Sequence, residues 1–334
     1  MAQVTTPIKA KQQIVLKPEA TYGVDIFAGT YTAADVVPAI ADTIRCSPNV
    51  EEFLNLATLG NRGRLPSAIG LRTCTVTWDT QLRGKEAVYT SLIFPEVHVP
   101  LRGSGLAAVL TAAEWFYTPS DTHESMTCYV VQDVPGGNAV AVKILGAHLT
   151  WKIAGAAGGP MRITFTLQGV LASMGDVTYV PGTMAPTPGY PTLKSALFQI
   201  GSTNYAPRIA NISFDLGGTL RRVPDINSAS GLVGFMIADR EPLIEIDAEA
   251  DREATSGWWA ALDDGSPLHD LSFQLGGPAN NIFKFRFRSD LTSGIQVVGL
   301  ELGERDGIAC FNLKLRPTLS TTPNTDFQIV AAAA

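Results

Sequence analysis

The sequence predicts an all-β fold with short flanking helices. Apolar residues make up 46% of the 334 residues, which is enough for a sizeable core. Glycine (31) and proline (21) are frequent, whereas long helical patterns are scarce. Several segments alternate apolar and polar residues, most strictly Arg72–Asp79, where Cys74, Val76 and Trp78 share one side. A period of two is typical of a strand with one buried face.

Composition also limits the function classes. A net charge of −6 argues against tight binding of nucleic-acid phosphates, which requires clustered Lys and Arg. The first 16 residues lack the apolar core of a signal peptide, and no stretch reaches the roughly 20 apolar residues of a membrane span. The four cysteines form no CxxC pair and match no zinc spacing. We therefore expect reduced cysteines in a protein that neither crosses a membrane nor binds zinc.

The chain divides into two halves. Residues 1–22 form a polar N-terminal arm, 23–178 a first domain, 179–205 a proline-rich linker and 206–334 a second domain. Residues 44–66 show no clear period and are predicted to be a long loop, with Thr32–Thr43 before them as a short helix or a loop. The segment Val97–Arg102 is interpreted as a strand end or a loop.

The predicted elements recur in similar order in both halves. The first half has strands at Arg72–Asp79, Met126–Gln132, Ala139–Trp151 and Met161–Val170, and a helix at Gly105–Trp115. The second half has strands at Ile209–Leu216, Leu243–Asp251, Leu271–Leu275, Ile282–Arg288, Gly294–Leu302 and Gly307–Arg316, and a helix at Thr255–Leu262. The two segments that resemble each other most clearly are Ile144–Leu149 and Val297–Leu302. We therefore hypothesise that the two halves arose by duplication.

The segment Leu243–Asp251 carries a row of carboxylates. Glu245, Asp247, Glu249 and Asp251 alternate with apolar residues and would share one strand face. Like charges spaced by two residues repel one another, so the face must meet water, cations or something that it must not hold.

A second alternating segment carries the opposite charge. Lys284, Arg286 and Arg288 alternate with three phenylalanines. The segment either binds nucleic acid or is a packed strand whose basic face meets acidic neighbours, and the carboxylate row is its natural complement.

No catalytic, metal or cofactor site is predicted. The four histidines form no metal-binding pair, and there is no Gly-x-Ser-x-Gly elbow. Gly103–Ala108 fits a loose dinucleotide pattern, but no βαβ unit surrounds it. The Asp-Gly pairs at 264–265 and 306–307 lack further calcium ligands and are predicted to be turns. Two carboxylates of the row have the spacing of an inverting glycosidase, without a sugar cleft to support that function.

The chain resembles the tail tube proteins of long-tailed bacteriophages over most of its length. The match is one of pattern and order, carried by Tyr22–Asp25, Ala33–Asp35, Arg72–Asp79, Trp115–Ser120, Ile212–Gly217, Ile237–Pro242 and Gly303–Ile308. Many members are about half as long and form six-membered rings. This chain is similar to the doubled members, which place two tube domains in one chain and close a ring with three copies.

The resemblance implies two tandem β-sandwich or half-barrel domains, whose β-barrel is completed by ring formation, in rings stacked into a tube. It implies a virion tail protein made in the host bacterial cytoplasm, which contacts other tail proteins (tape measure, terminator, baseplate) and an acidic lumen that conducts genomic DNA without specific binding. The expected lumen residues are Glu245, Asp247, Glu249 and Asp251. The expected contacts between subunits or rings are Asn49, Glu51, Glu52, Asn61, Arg62, Arg64, Lys284, Arg286 and Arg288.

Three other functions stay open at this point. A terminator or baseplate component would form a single ring instead of a tube. A β-sandwich binding module would present aromatic residues on one rim, for which Trp258-Trp259 is the one available pair. A hydrolase that uses Glu245 ranks third.

Overall fold

A computed structural model describes residues 12–40, 42–53, 67–82, 97–111, 114–134, 138–182, 192–193, 197–200, 207–265, 271–275, 282–287, 294–318 and 324–332. The fold is all-β, with a few short helices, as the sequence predicts. None of the helices in these ranges is long and apolar enough to cross a membrane.

The strands of the first half run from the N-terminal segment to residue 178. They are β1 (Gln12–Pro18), β2 (Val36–Val37), β3 (Arg45–Phe53), β4 (Ala68–Gln81), β5 (Leu106–Leu110), β6 (Glu114–Pro119), β7 (Met126–Val134), β8 (Asn138–Ala156) and β9 (Arg162–Thr178). A 3-10 turn, Ala33–Asp35, precedes β2, and helix α1, His98–Gly103, precedes β5.

The second half contributes ten strands. They are β10 (Leu197–Ile200), β11 (Ile209–Asp215), β12 (Gly218–Pro224), β13 (Leu232–Arg240), β14 (Leu243–Glu249), β15 (Leu271–Leu275), β16 (Ile282–Phe287), β17 (Ile295–Arg305), β18 (Ile308–Pro317) and β19 (Phe327–Ala332). Helices α2 (Glu253–Ser256) and α3 (Trp258–Asp264) follow β14.

The larger sheet contains a continuous antiparallel run of eight strands, ordered β3-β4-β9-β8-β11-β14-β18-β17. The N-terminal part of the long strand β8 also pairs with β7, which continues to β1 and β2. We call the eight strands the main sheet.

The main sheet consists of two four-strand units with the same strand order, although β7 is inserted before β8 in the first unit and the hairpin β12-β13 between β11 and β14 in the second. In chain order, each unit starts with two adjacent strands (β3-β4 and β11-β14) and ends with a hairpin (β8-β9 and β17-β18). A short helix and two strands of the smaller sheet, β5-β6 or β15-β16, lie between them in the chain. Ile144–Leu149 lies in β8 and Val297–Leu302 in β17, so the two similar segments lie on corresponding strands and support the hypothesis of duplication.

The smaller sheet also crosses the boundary between the halves. Its order is β10-β15-β16-β19-β6-β5. Strand β19 therefore lies between β16 of the second half and β6 of the first half. The core lies between the two sheets. Phe214 is at its centre, with ring centroids 5.1 Å from Trp151 and 5.5 Å from Phe285. These edge-to-face contacts join residues of both halves into one core.

The hairpins end in turns that their residues favour. Asp306 and Gly307 connect β17 to β18 with φ values of 51° and 81°. Two successive positive φ angles are what a type I′ hairpin turn requires, and Asp-Gly tolerates them. The Asp-Gly pair is therefore a turn, as the sequence predicts.

Several sequence predictions are wrong. The predicted helix Gly105–Trp115 is instead the hairpin β5-β6, because Gly105 adopts a positive φ of 77° and Leu106–Leu110 pairs with β6. Pairing in the sheet outweighs the helix propensity of these Leu and Ala residues. Helix α1 precedes this hairpin, in the segment Val97–Arg102 that was predicted to be a strand end or a loop.

Predicted boundaries also change. The second part of the predicted arm is the buried strand β1, which pairs with β7 and β2. The predicted long loop begins with β3, whose mostly exposed residues show no alternation because the strand lies at the sheet edge. The predicted linker contains β10; most of its prolines lie outside the described residues.

The carboxylate of Glu19 ties the turn after β1 to the larger sheet. It accepts hydrogen bonds from the backbone N–H groups of Gly23 (2.7 Å) and Gly146 (2.8 Å). It also accepts bonds from the hydroxyls of Ser125 (2.6 Å) and Thr127 (3.1 Å). Hydrogen bonds to a charged acceptor contribute more than neutral ones, so this side chain holds together three segments that are distant in sequence.

Replacing Glu19 by Ala should lower the free energy of unfolding by about 3 kcal/mol, because four donors lose their charged acceptor. Urea denaturation followed by tryptophan fluorescence measures this change. Glu301→Ala is the matched control, since that side chain is 72% exposed, and it should change the same quantity by less than about 0.5 kcal/mol. Equal effects of the two variants would contradict the assigned role of Glu19.

Candidate functional site: the open face and free edges of the main sheet

One face of the main sheet is turned away from the core, and the hairpin β12-β13 packs on the part of it near His148 and Thr150 of β8. We call this face the open face. It is formed by Thr75, Thr77, Asp79, Thr150, Lys152, Arg162, Thr164, Thr166, Asn211, Ser213, Asp215, Glu245, Asp247, Glu249, Glu301, Asn312, Lys314 and Arg316. The residues between them on each strand point into the core, as strand alternation requires.

The open face contains a wide groove lined by both polar and apolar residues. Its volume is about 740 Å³, and it is lined by residues of β4, β8, β9, β11, β14 and β18. No aromatic side chain belongs to the described lining.

Three of the four predicted carboxylates share this face. Glu245, Asp247 and Glu249 alternate with Ile244, Ile246 and Ala248, which are all buried. Strand β14 ends at Glu249, so Asp251 lies beyond it and is not part of the row; its carboxylate accepts a hydrogen bond from the N–H of Arg252. The prediction of four aligned carboxylates is therefore wrong for Asp251.

Each remaining carboxylate has a cation close by in the same chain. Lys152 lies 3.8 Å from Glu245 and 3.9 Å from Asp215. Arg305 lies 3.1 Å from Asp247, and Arg208 lies 3.5 Å from Glu249. The repulsion expected along the row is thus offset by ion pairs, and the face carries interspersed charges of both signs instead of a continuous acidic patch.

The basic residues that the sequence matched with this row lie elsewhere. Lys284 and Arg286 belong to β16 in the smaller sheet, where Phe283, Phe285 and Phe287 face the core. Within one chain they form no ion pair with the carboxylate row among the described contacts. Within the chain, the carboxylates of the row instead pair with Lys152, Arg305 and Arg208. A contact of Lys284 and Arg286 with another subunit stays a prediction, and Arg288 lies outside the described residues.

Asp247 is the most firmly held group of the open face. It accepts hydrogen bonds from the backbone N–H groups of Ala210 (2.8 Å) and Asn211 (2.6 Å), where the pairing of β11 with β14 shifts register. The Asn211 amide donates at 2.8 Å. Burial by itself would raise the pKa of Asp247, but these bonds and Arg305 hold it below its ordinary value. Asp247 therefore satisfies backbone donors at a β-bulge, a structural role that the sequence pattern does not reveal.

The two ends of the main sheet are free edges. Among the described residues, β3 pairs only with β4 and β17 only with β18. Exposed apolar side chains lie near both edges: Val50, Phe53 and Ile69 at the β3 end, and Leu302 and Ile308 at the β17 end. Unpaired backbone groups next to exposed apolar residues are characteristic of a strand that pairs with another chain.

The predicted contact residues of the first half partly lie on this edge. Asn49, Glu51 and Glu52 are in β3; Glu51 pairs with Arg222 of β12 at 2.6 Å, and Glu52 accepts a hydrogen bond from Ser67. Asn61, Arg62 and Arg64 lie outside the described residues. Glu51 therefore already has a partner within the chain.

None of the three described histidines, His98, His123 and His148, lines the groove, and His269 lies outside the described residues. His98 and His148 are both buried, and His98 Nδ1 lies 3.0 Å from the Tyr117 hydroxyl. Burial lowers the pKa of each to about 4, with Arg102 adding to the shift of His98 and His123 to that of His148. In the described part of the chain, no group of three His, Cys, Asp or Glu residues is placed to hold a metal ion. The Gly103–Ala108 segment leads from a helix into a strand, the reverse of a dinucleotide turn.

Comparison with models of known protein families finds no match, and a search of curated proteins likewise finds none.

Replacing Asp247 by Asn should lower the free energy of unfolding at pH 7 by about 2–4 kcal/mol, because two backbone donors and Arg305 lose a charged acceptor. The folded pKa of Asp247 lies below the unfolded value of about 3.9, so its contribution is complete above that value and is lost as pH falls through the folded pKa. Denaturation measured from pH 7 to pH 2.5 should show wild type and variant converging at low pH.

The matched control for this series is Glu245→Gln. Its side chain is 44% exposed and its cation lies 3.8 Å away, so the change should be below about 1 kcal/mol at every pH. A pH-independent difference between Asp247→Asn and wild type would contradict the charge-based role of Asp247.

Proposed function

We propose that this chain is a structural protein that assembles with its own copies into rings, and that stacked rings form the tube of a bacteriophage tail. The observation that carries the proposal is the joint between β8 and β11. In the order of the main sheet, β8 is the last strand of the first four-strand unit and β11 is the first strand of the second. The two strands pair antiparallel, from Asn211 opposite Ala156 to Asp215 opposite Lys152.

The same joint can be repeated between chains. In the same sheet order, β17 is the last strand of the second unit and so corresponds to β8. Strand β3 is the first strand of the first unit and so corresponds to β11. Both have a free edge within the described chain. A contact between two different surfaces of identical subunits generates a closed ring when the rotation permits, or otherwise a filament. Pairing β17 of one copy with β3 of the next therefore extends the main sheet around a barrel.

The chemistry of the edges favours such pairing. Leu302 is 75% exposed on β17, and Phe53 is 61% exposed on β3. These side chains would be removed from water in the joint, which contributes about 25 cal/mol per Å² of buried apolar surface. Pro48 has no N–H to donate, so a ladder between β17 and β3 would lack a hydrogen bond from that residue.

The resemblance to doubled tail tube proteins sets the expected stoichiometry. Each chain has two equivalent four-strand units, so three chains would supply six units and a pseudo-hexameric ring. The curvature of each joint would then resemble that of the internal β8-β11 joint. This symmetry belongs to the proposal, together with the location in the virion tail.

The open face would form the wall of the channel. Its threonines, serines and asparagines are polar without being cationic, and four of its carboxylates lie near cations of the same chain, whereas Arg162 and Arg316 are in no ion pair among the described contacts. Binding to DNA gains free energy by releasing counterions from phosphates to clustered cations. A wall on which carboxylates outnumber cations offers little of that gain, so DNA would slide along it without being held. Glu245, Asp247 and Glu249 would line this lumen, with their charge partly offset by cations of the same chain.

The test is electron microscopy of the purified protein with one edge altered. Wild type should form rings and tubes of uniform diameter. Leu302→Lys should abolish them and leave single chains in analytical ultracentrifugation, since a Lys on an edge strand opposes pairing. The matched control is Ile226→Lys, at a residue that is 98% exposed in the turn between β12 and β13 and belongs to neither free edge. It should assemble as wild type does.

Two results would overturn the proposal. Wild type that stays monomeric at high concentration would remove its basis, and so would assemblies that Leu302→Lys leaves unchanged. In virions, hundreds of copies along the tail are expected; one ring per particle would identify a terminator or baseplate component instead.

A further inference from the structure

Two cysteine thiols are in contact next to the β3 edge of the main sheet. The Sγ atoms of Cys46 and Cys74 lie 3.4 Å apart. Cys46 is opposite Val76 and Cys74 is opposite Pro48, so the two residues are diagonal neighbours on β3 and β4. Diagonal neighbours share a sheet face because side chains alternate along each strand.

The two thiols differ in access and in acidity. Cys46 is partly exposed, whereas Cys74 is 1% exposed. The hydrogen bond with Cys74 lowers the pKa of Cys46, while burial opposes that shift. The same contact raises the pKa of Cys74. Because the thiolate is the attacking form, Cys46 is the thiol suited to react first with a reagent from solution.

We propose that Cys46 and Cys74 form a reversible redox pair, which is oxidised to a disulfide by small-molecule disulfides such as oxidised glutathione. The Cys46 thiolate attacks one sulfur of the reagent, forming a mixed disulfide and releasing one glutathione thiolate. Cys74 loses its proton, and its thiolate attacks the Cys46 sulfur, releasing the second glutathione thiolate. Two protein thiols are oxidised and one reagent disulfide is reduced, with two protons released.

The backbone position permits this bond at the cost of a small movement. The two sulfurs must approach from 3.4 Å to about 2.05 Å, and diagonal neighbours are close to the longest separation that a disulfide spans. Strand β3 has only β4 as a partner among the described strands, so it can shift. The bond would join an edge strand covalently to its neighbour and close the chain between residues 46 and 74, which restricts the unfolded state.

The remaining cysteines provide internal controls. Cys128 is fully buried, and burial raises its pKa. Cys310 is 3% exposed on β18, in the second four-strand unit. Neither should react with the reagent in the folded protein.

The experiment treats the folded wild-type protein with oxidised glutathione, blocks remaining thiols by alkylation and maps peptides by mass spectrometry. The expected product is a Cys46–Cys74 cross-link two hydrogen masses lighter than the thiol pair, with Cys128 and Cys310 alkylated after denaturation. Dithiothreitol should reverse it. The oxidised protein should unfold at a temperature about 5 °C higher.

Three variants distinguish this pathway from other oxidation. Cys74→Ser should accumulate a stable glutathione adduct on Cys46, because the resolving thiol is gone. Cys46→Ser should form neither the adduct nor the cross-link. Cys310→Ser should behave as wild type. The proposal is overturned if all four wild-type cysteines stay alkylatable after treatment, or if the cross-link uses Cys128.

Discussion

The antiparallel pairing of β8 with β11 is the contact on which the rest of the structure depends. It joins the two four-strand units into one main sheet and sets the relative position of Trp151, on β8, and Phe214, on β11, whose rings meet in the core. Strand β19 makes the corresponding connection in the smaller sheet. Because both sheets cross between the halves, the larger core cluster contains residues of both. A second, smaller cluster lies around Phe27, Tyr129 and Val131.

The period of two was sufficient to predict many of the strands, since burial of one face imposes it directly. Leu271–Leu275 is predicted to the residue, and Ile282–Arg288 and Gly307–Arg316 nearly so. Strand β3 was not predicted, because most residues of this edge strand are exposed and its sequence therefore shows no alternation of apolar and polar residues. Leu106–Leu110 was predicted to be helical because helix propensity is local, whereas its pairing with β6 is tertiary. Alternation placed three of the four carboxylates on one face, but the terminus of β14 excluded Asp251.

The cations that pair with those carboxylates could not be predicted from the residue pattern of one strand. Lys152 and Arg305 reach the row from β8 and β17, which lie two strands away from β14 on opposite sides and come close to it only when the sheet has formed. The sequence pattern also does not reveal the hydrogen-bond donors of Asp247, which are backbone N–H groups where the pairing of β11 with β14 is irregular. An apparently repulsive row thus becomes a set of local ion pairs.

Hydrogen–deuterium exchange of the assembled and dissociated protein tests the central claim most directly, because pairing of edges protects backbone amides. The account predicts that Arg45–Phe53 and Ile295–Arg305 gain protection on assembly, while the internal joint at residues 152–156 and 211–215 is equally protected in both states. Assembly that protects other surfaces and leaves β3 and β17 exchanging freely would contradict it.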